Sequence, residues 1–253
     1  PSIKVLDGIG FDAAIDRAVA LLGISEEELP SRAFVPGYPL GLGVCSVRPI
    51  EMARAYSIFG NEGKEVTPIA VRNVEDRDGN IFLNPEHDLR IAQQAKGAKA
   101  QGISQQTAYV MTQLLENTIR SGTLASPTES GTVLRYKDKN GKRYTIPAAG
   151  KTGTTNEYKD LWFVGFTPYY TAGVWLGYDN SISMRGRINY NYNEHKTLWK
   201  NIMNEVLEGK EAAEFEMPDS VVKATVCAKS GKLASSGCSS VTEYFAKSEV
   251  PTD

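Results

Sequence analysis

Between Ala148 and Gly177 three strand-like stretches follow in quick succession: Ala148 to Thr155, Leu161 to Phe166 and Tyr170 to Gly177. The links, Asn156 to Asp160 and Thr167 to Tyr169, are too short for a parallel crossover, which needs about a dozen residues or more. The strands are therefore expected to be antiparallel neighbours in one sheet, which the rest of the chain must cover.

Helical periodicity supplies the cover. Phe11, Ile15, Val19 and Leu22 form one stripe, and Gly23 is placed to close that helix in the left-handed conformation. A Pro/Gly-rich passage from Pro30 to Gly43 reads as irregular loop. Pro49 opens a second helix carrying Met52, Ala55, Tyr56 and Phe59, which ends near Gly60 to Gly63. Ile69 and Val71, then Asp78-Gly79-Asn80, then Ile81 and Leu83 give a hairpin signal. Residues 84 to 104 are polar and read as a mobile excursion. A helix over about Gln106 to Arg120 would bury Val110, Leu114, Leu115 and Thr118, and Asn140-Gly141 marks a turn between two arms, Val133 to Lys137 and Lys142 to Ile146. A last helix, about His195 to Glu208, would turn Leu198, Ile202 and Val206 to the sheet. Helices before and after an antiparallel sheet make the expected class α+β, an antiparallel sheet flanked by helices.

Composition removes several functions. Lys and Arg number 28 against 30 Asp and Glu, a formal net charge of -2, so the basic stripe of a nucleic-acid binder is missing. No apolar run reaches the roughly 20 residues of a bilayer span. The three cysteines, Cys45, Cys227 and Cys238, lack zinc-site spacing; the last two, 11 positions apart, could pair in an oxidising compartment. The only histidines are His87 and His195, so histidine-based nucleophile activation or metal binding must use one of them or does not occur; His195, opening a helix, reads as a capping or surface residue. No metal or cofactor is expected.

The sharpest local feature is Gly150-Lys151-Thr152-Gly153-Thr154-Thr155. Alternation puts Lys151 and Gly153 on one face of the strand and the hydroxyls of Thr152 and Thr154 on the other, a match for a carboxylate. Gly153 leaves its side of the strand bare for a ligand or another backbone. A phosphate loop is excluded, because Thr145 stands five before Gly150 where that pattern requires glycine. Taken as four letters, the plain reading is a glycine-containing strand with a solvated lysine and two ordinary threonines.

The longer string outweighs it. Pro147-Ala-Ala-Gly-Lys-Thr-Gly-Thr-Thr-Asn156, then Asp160-Leu-Trp-Phe-Val-Gly-Phe-Thr-Pro168, closely resembles the transpeptidase domain of class A (bifunctional) penicillin-binding proteins. Leu40-Gly-Leu-Gly43 leading into Val47-Arg-Pro-Ile-Glu-Met-Ala-Arg-Ala-Tyr56, then Asn61-Glu-Gly63, is similar to that family as well. So are Lys229-Ser-Gly-Lys-Leu-Ala234, Cys238 and Glu243-Tyr-Phe245. The family commonly has Gly-Thr-Gly where Ser121-Gly-Thr-Leu124 stands here.

The resemblance implies the penicillin-binding protein/serine β-lactamase-like fold, with residues 1–217 forming the C-terminal part of the transpeptidase domain and 218–253 a short C-terminal appendage. It also implies a Ser-x-x-Lys and a Ser-x-Asn motif before the Lys-Thr-Gly block. Ser-x-Asn does not occur, and the one Ser-x-x-Lys, Ser220-Val-Val-Lys223, follows the block; with 18 Ser and 16 Lys about one chance match is expected. Pro1-Ser-Ile-Lys-Val looks like the stretch after Ser-x-Asn, so an upstream segment or separate chain is expected to carry the nucleophile.

Residue by residue, the resemblance implies that Lys151 is catalytic and attracts the substrate carboxylate. Thr152 and Thr154 would bind that carboxylate, the Thr154 N–H would be half of an oxyanion hole, and Gly153 and Thr155 would join the substrate site. Partners would be peptidoglycan stem peptides and β-lactams, with no nucleic acid, and the location the extracytoplasmic face of a bacterial membrane, with the anchor upstream. Two other functions share these motifs. One is a non-catalytic penicillin-recognising sensor or scaffold, which a missing upstream serine would favour. The other is a β-lactamase, disfavoured by the Trp-Phe-Val-Gly-Phe-Thr-Pro run and the long tail. Trp162, Phe163 and Trp175 are expected in the core, Asp160 as a turn anchor, and Tyr178-Asp179-Asn180 as a simple turn.

Overall fold

A computed structural model describes residues 2–120, 134–186 and 193–252. The chain divides into two compact units, Pro1–Ile58 with Lys64–Gly102 and Phe59–Gly63 with Ile103–Asp253. In the first, α1 (Ser2–Ile9) and α2 (Phe11–Leu22) precede two 3-10 turns, Glu26–Arg32 and Tyr38–Leu42, followed by α3 (Pro49–Gly60). Gly23 closes α2 with φ 72°, its N–H donating to the Val19 carbonyl, as its position in the sequence requires. Leu22, Ile24, Phe34 and Ala55 form the core of this unit, with Ile15, Val19, Leu40 and Met52 packed on it.

The passage read as irregular loop is pinned rather than loose. Arg32 and Glu51 are both 8% exposed and pair at 3.0 Å. Glu51 also accepts from the Arg48 guanidinium at 2.8 Å and the Arg48 N–H at 2.6 Å. Hydrogen bonds from Arg32, then Arg48, hold the Glu28 carboxyl down at about 2. The Ser46 N–H donates to the Arg32 carbonyl at 2.9 Å, bracketing residues 33–45.

The hairpin forms with a shorter and later first arm than expected, β1 (Val74–Glu75) against β2 (Ile81–Leu83). Residues 84 to 104 are not an excursion. They carry α4 (Pro85–Lys96) and a 3-10 turn, Gly97–Ala100. The Asn84 side chain caps α4 by accepting from the His87 N–H at 3.1 Å, Pro85 sits in its first turn, and Ala, Gln and Lys suit its interior.

In the second unit α5 (Gln105–Arg120) is followed by the β3 (Leu134–Lys137) and β4 (Arg143–Ile146) hairpin. Val133 and the Ser121-to-Leu124 departure lie outside the described residues. Then β5 (Ala149–Thr154), β6 (Asp160–Phe166) and β7 (Thr171–Gly177) form one antiparallel sheet in sequence order. Next come α6 (Glu194–Val206) and a second hairpin, β8 (Val221–Cys227) with β9 (Ser240–Ala246), joined by a Cys227–Cys238 disulfide. Cys45 is free.

The core of this unit joins Ile119 of α5, Ile146 of β4, Phe163 of β6, Val174 of β7 and Trp199, Met203 and Leu207. The Phe163 and Trp199 rings meet edge-on at 4.8 Å, and Trp199 Nε1 donates to the Ala172 carbonyl at 3.0 Å.

The expected stripe holds in part on α5 and fails on α6. In α5 the buried residues are Ala108, Thr112, Leu115, Glu116 and Ile119; of the expected stripe Leu115 is buried, Val110 and Thr118 are half-buried and Leu114 is exposed. In α6 they are His195, Trp199 and Met203, while Leu198, Ile202 and Val206 are exposed. Two stripes at the same spacing compete on α6, and the larger aromatic surface of Trp199 takes the core. His195 is thus buried, not a surface cap, and burial lowers its pKa to about 4. Phe163 is fully buried as expected, but Trp162 and Trp175 are half-buried.

Candidate active site

β5 is an edge strand, because its only strand partner among the described residues is β6. Register sorts its side chains: Thr152 lies opposite Phe163 and Thr154 opposite Leu161 on one face, while Lys151 lies opposite Val164 and Gly153 opposite Trp162 on the other. This is the alternation read from the sequence. Phe163, Leu161 and Val164 are buried, so β5 rests on a fixed floor. At Gly150 the fit is tight. A Cβ there would stand 2.9 Å from the Val164 carbonyl oxygen and 3.0 Å from the Gly165 Cα.

The backbone direction at the open edge follows from three hydrogen bonds. The Thr155 N–H donates to the Asp160 carbonyl at 3.1 Å, so Thr155 faces β6. Successive residues of an antiparallel strand turn their N–H and C=O groups to opposite edges. Thr154, Thr152 and Gly150 therefore face outward. Two acceptors confirm that phase: the Gly150 carbonyl receives the Thr118 hydroxyl of α5, and the Thr152 carbonyl receives Lys151 Nζ at 2.8 Å.

The edge thus presents the N–H groups of Thr152 and Thr154 together with the Lys151 ammonium. Two of its carbonyls, Gly150 and Thr152, are already taken. Donors outnumber free acceptors there, which favours an oxyanion or carboxylate over a neutral strand. Lys151 and Thr154 are exposed, and Thr152 and Gly153 half-buried.

Thr155 differs from its neighbours. Its hydroxyl accepts from the Asp160 N–H at 2.7 Å and donates to Asp160 Oδ2 at 3.2 Å. It is occupied within the turn. Asp160 Oδ1 accepts from Trp175 Nε1 at 2.9 Å, so Asp160 anchors the turn as its place in the sequence suggested. The Tyr178-Asp179-Asn180 stretch is also a turn, closed by the Ser181 N–H on the Tyr178 carbonyl. What the sequence reading missed is Thr118: it was placed on the packing face of its helix, and nothing in the local sequence marks it as a partner of Gly150.

A cleft of about 640 Å³ in the same unit, lined by Phe59, Tyr109, Phe215 and Glu216 among others, contains none of residues 151–155. Among the described residues no group of three or more His, Cys, Asp or Glu could hold a metal ion, and no helix is long and apolar enough to cross a membrane.

An edge strand carrying Lys-Thr-Gly on an antiparallel sheet packed by helices defines a class, the proteins of the penicillin-binding transpeptidase fold. Residues 23–204 match the family model described as the penicillin binding protein transpeptidase domain, and residues 217–253 match that of the penicillin-binding protein 1A C-terminal domain. The chain belongs to the penicillin-binding protein transpeptidase family, in its class A, 1A-type branch.

A penicillin-binding protein 1A of Clostridium tetani is 33% identical over 83% of this chain and 24% of the relative. One of Neisseria meningitidis is 31% identical over 100% of this chain and 26% of the relative. The chain spans about a quarter of the length of these curated relatives (24% and 26%). The crystal structure of penicillin-binding protein 1A from Haemophilus influenzae superposes with a TM-score of 0.74 at 21% identity, covering 100% of this chain and 39% of that one. It has the same fold.

Proposed function

We propose that this chain supplies the acyl-binding strand of a D,D-transpeptidase that cross-links peptidoglycan stem peptides and is acylated by β-lactams. A serine attacks the carbonyl between the two terminal D-alanines, the last D-alanine leaves with the proton, and a neighbouring stem's amine takes the acyl group. The serine and its lysine base, in this reading, belong to a part of the protein outside these 253 residues. Ser220, the one match to Ser-x-x-Lys, sits instead just before β8 in the C-terminal hairpin.

The Thr154 N–H stabilises the oxyanion, a donor whose loss typically costs about 2.7–4 kcal/mol of transition-state stabilisation. Lys151 and the hydroxyls of Thr152 and Thr154 take the terminal carboxylate of the donor peptide. Gly153 keeps the strand bare where the substrate lies. Thr155, named with them from the sequence, shapes the turn that holds them. Residues 218–253 form an appendage to this domain, and the protein works at the extracytoplasmic face of a bacterial membrane, anchored outside this stretch.

The observation that supports the reading is the donor-rich free edge of β5, with the Thr152 and Thr154 amides and the Lys151 ammonium together. The experiment is to react the full-length protein with a penicillin and locate the acyl group. Covalent penicillin lying against Lys151 to Thr154 supports it. A protein that is not acylated, or an acyl group remote from β5, overturns it.

A further inference from the structure

The turn between β5 and β6 is held in a shape that it would not keep by itself. Glu157 and Tyr158, neither a glycine, have φ of 62° and 54°, in the left-handed region where side chains crowd the backbone. Two sets of contacts hold it. From one side the Ser183 hydroxyl donates to the Glu157 carbonyl at 2.6 Å, and the Met184 N–H to the Tyr158 carbonyl at 3.2 Å. From the other side stands Asp160. Its N–H donates to Thr155 Oγ1, its carbonyl accepts the Thr155 N–H, its Oδ2 accepts the Thr155 hydroxyl and its Oδ1 accepts Trp175 Nε1. One residue thereby ties the end of β5 to β6 and, through Trp175, to β7.

That tie fixes more than a turn. Which backbone groups of β5 face the open edge depends on the phase set where Thr155 meets Asp160. A slip of one residue would turn the Thr154 N–H toward β6 and bring Gly153 to the edge, because side chains and amides alternate together along a strand. Among the described residues, the side-chain bonds that set the phase at this end of the sheet are those between Thr155 and Asp160.

The geometry points to Asp160 as a positioning residue for acyl transfer, acting through Thr155 and Trp175 to keep the Thr154 N–H on the open edge of β5. The inference rests on the reading of that edge as the acyl-binding strand. Asp160 acts through its hydrogen-bond contacts and not through its charge. Asparagine keeps both contacts: its carbonyl can accept from Trp175 Nε1, and its amide can donate to Thr155 Oγ1, reversing the direction of that one bond.

The test compares Asp160→Ala, Asp160→Asn and the wild type in the full-length protein, with labelled penicillin as probe. In Asp160→Ala the acylation rate constant at saturating penicillin should fall by about tenfold or more, as for a misplaced oxyanion donor, with half-saturation moved less than about threefold. Asp160→Asn should recover to within about threefold of wild type. Exchange of the Thr155 amide hydrogen should quicken by about tenfold or more in Asp160→Ala and remain slow in Asp160→Asn.

A general loss of folding would not divide the rate constant from half-saturation in this way. Wild-type acylation by Asp160→Ala overturns the inference, as does an Asp160→Asn variant as slow as Asp160→Ala, which would make the charge essential. A wild type that penicillin does not acylate overturns the reading of β5 as well, and so is told apart from failure of this inference alone.

Discussion

Gly150→Ala tests how closely the site strand depends on the packing beneath it. The added Cβ would lie 2.7 Å from the Phe163 ring, 2.9 Å from the Val164 carbonyl oxygen and 3.0 Å from the Gly165 Cα. Two of these neighbours are backbone. The third is a ring with 0% exposure, wedged against Trp199. None can retreat, so β5 must lift from β6. Overpacking of this kind costs about 1–3 kcal/mol. For a domain of this size each kcal/mol moves the melting temperature by about 2–4 °C, so the transition should fall by about 2–12 °C.

Gly153→Ala is the matched comparison. The three atoms nearest its Cβ would all belong to Trp162, the closest being that residue's Cβ at 3.1 Å, a contact that a strand adjustment of a few tenths of an ångström relieves. Its cost should stay under about 1 kcal/mol. Calorimetry of the two full-length variants reads the difference. A Gly150→Ala protein melting within a degree of wild type, or below it by less than Gly153→Ala, would refute the tight β5–β6 contact.

Stability should depend on pH through His195. Its folded pKa of about 4 lies below the ordinary 6.5, so the unfolded chain binds more protons between those values. The histidine's contribution is then complete above about pH 6.5 and declines as pH falls toward 4, at up to about 1.4 kcal/mol per unit. Denaturation of wild type and His195→Leu across that range should show the slope in the first and its loss in the second; equal slopes would contradict the buried neutral ring. Lys151→Ala in the full-length protein removes the cation proposed to pair with the substrate carboxylate, and should slow penicillin acylation by about 10- to 100-fold with the melting temperature unchanged, since Lys151 is exposed. An unchanged rate would count against that role.

The sheet was legible because its signal is local. Short links force antiparallel order, and β5, β6 and β7 fall within a residue or two of the stretches read from the sequence. The faces of Lys151 and Thr152 follow from the same period of two. Helix faces were less legible, because α6 carries two stripes at identical spacing, His195/Trp199/Met203 and Leu198/Ile202/Val206, and only the tertiary partner decides between them. The polar composition of α4 hid a helix whose start was written in Asn84-Pro85-Glu86.

At the site, the residue types were readable and the direction of the edge was not. Which amides of β5 point outward depends on the Thr155–Asp160 meeting, and the capping of Gly150 by Thr118 joins residues 32 positions apart. Periodicity contains neither fact.

The position of one oxygen decides the account most directly. In a crystal structure of the full-length protein acylated by a penicillin, the ester carbonyl oxygen should lie about 2.7–3.1 Å from the Thr154 backbone nitrogen, the distance expected of an oxyanion-hole donor. An ester oxygen turned away from β5, with its donors drawn from other parts of the protein, would contradict it.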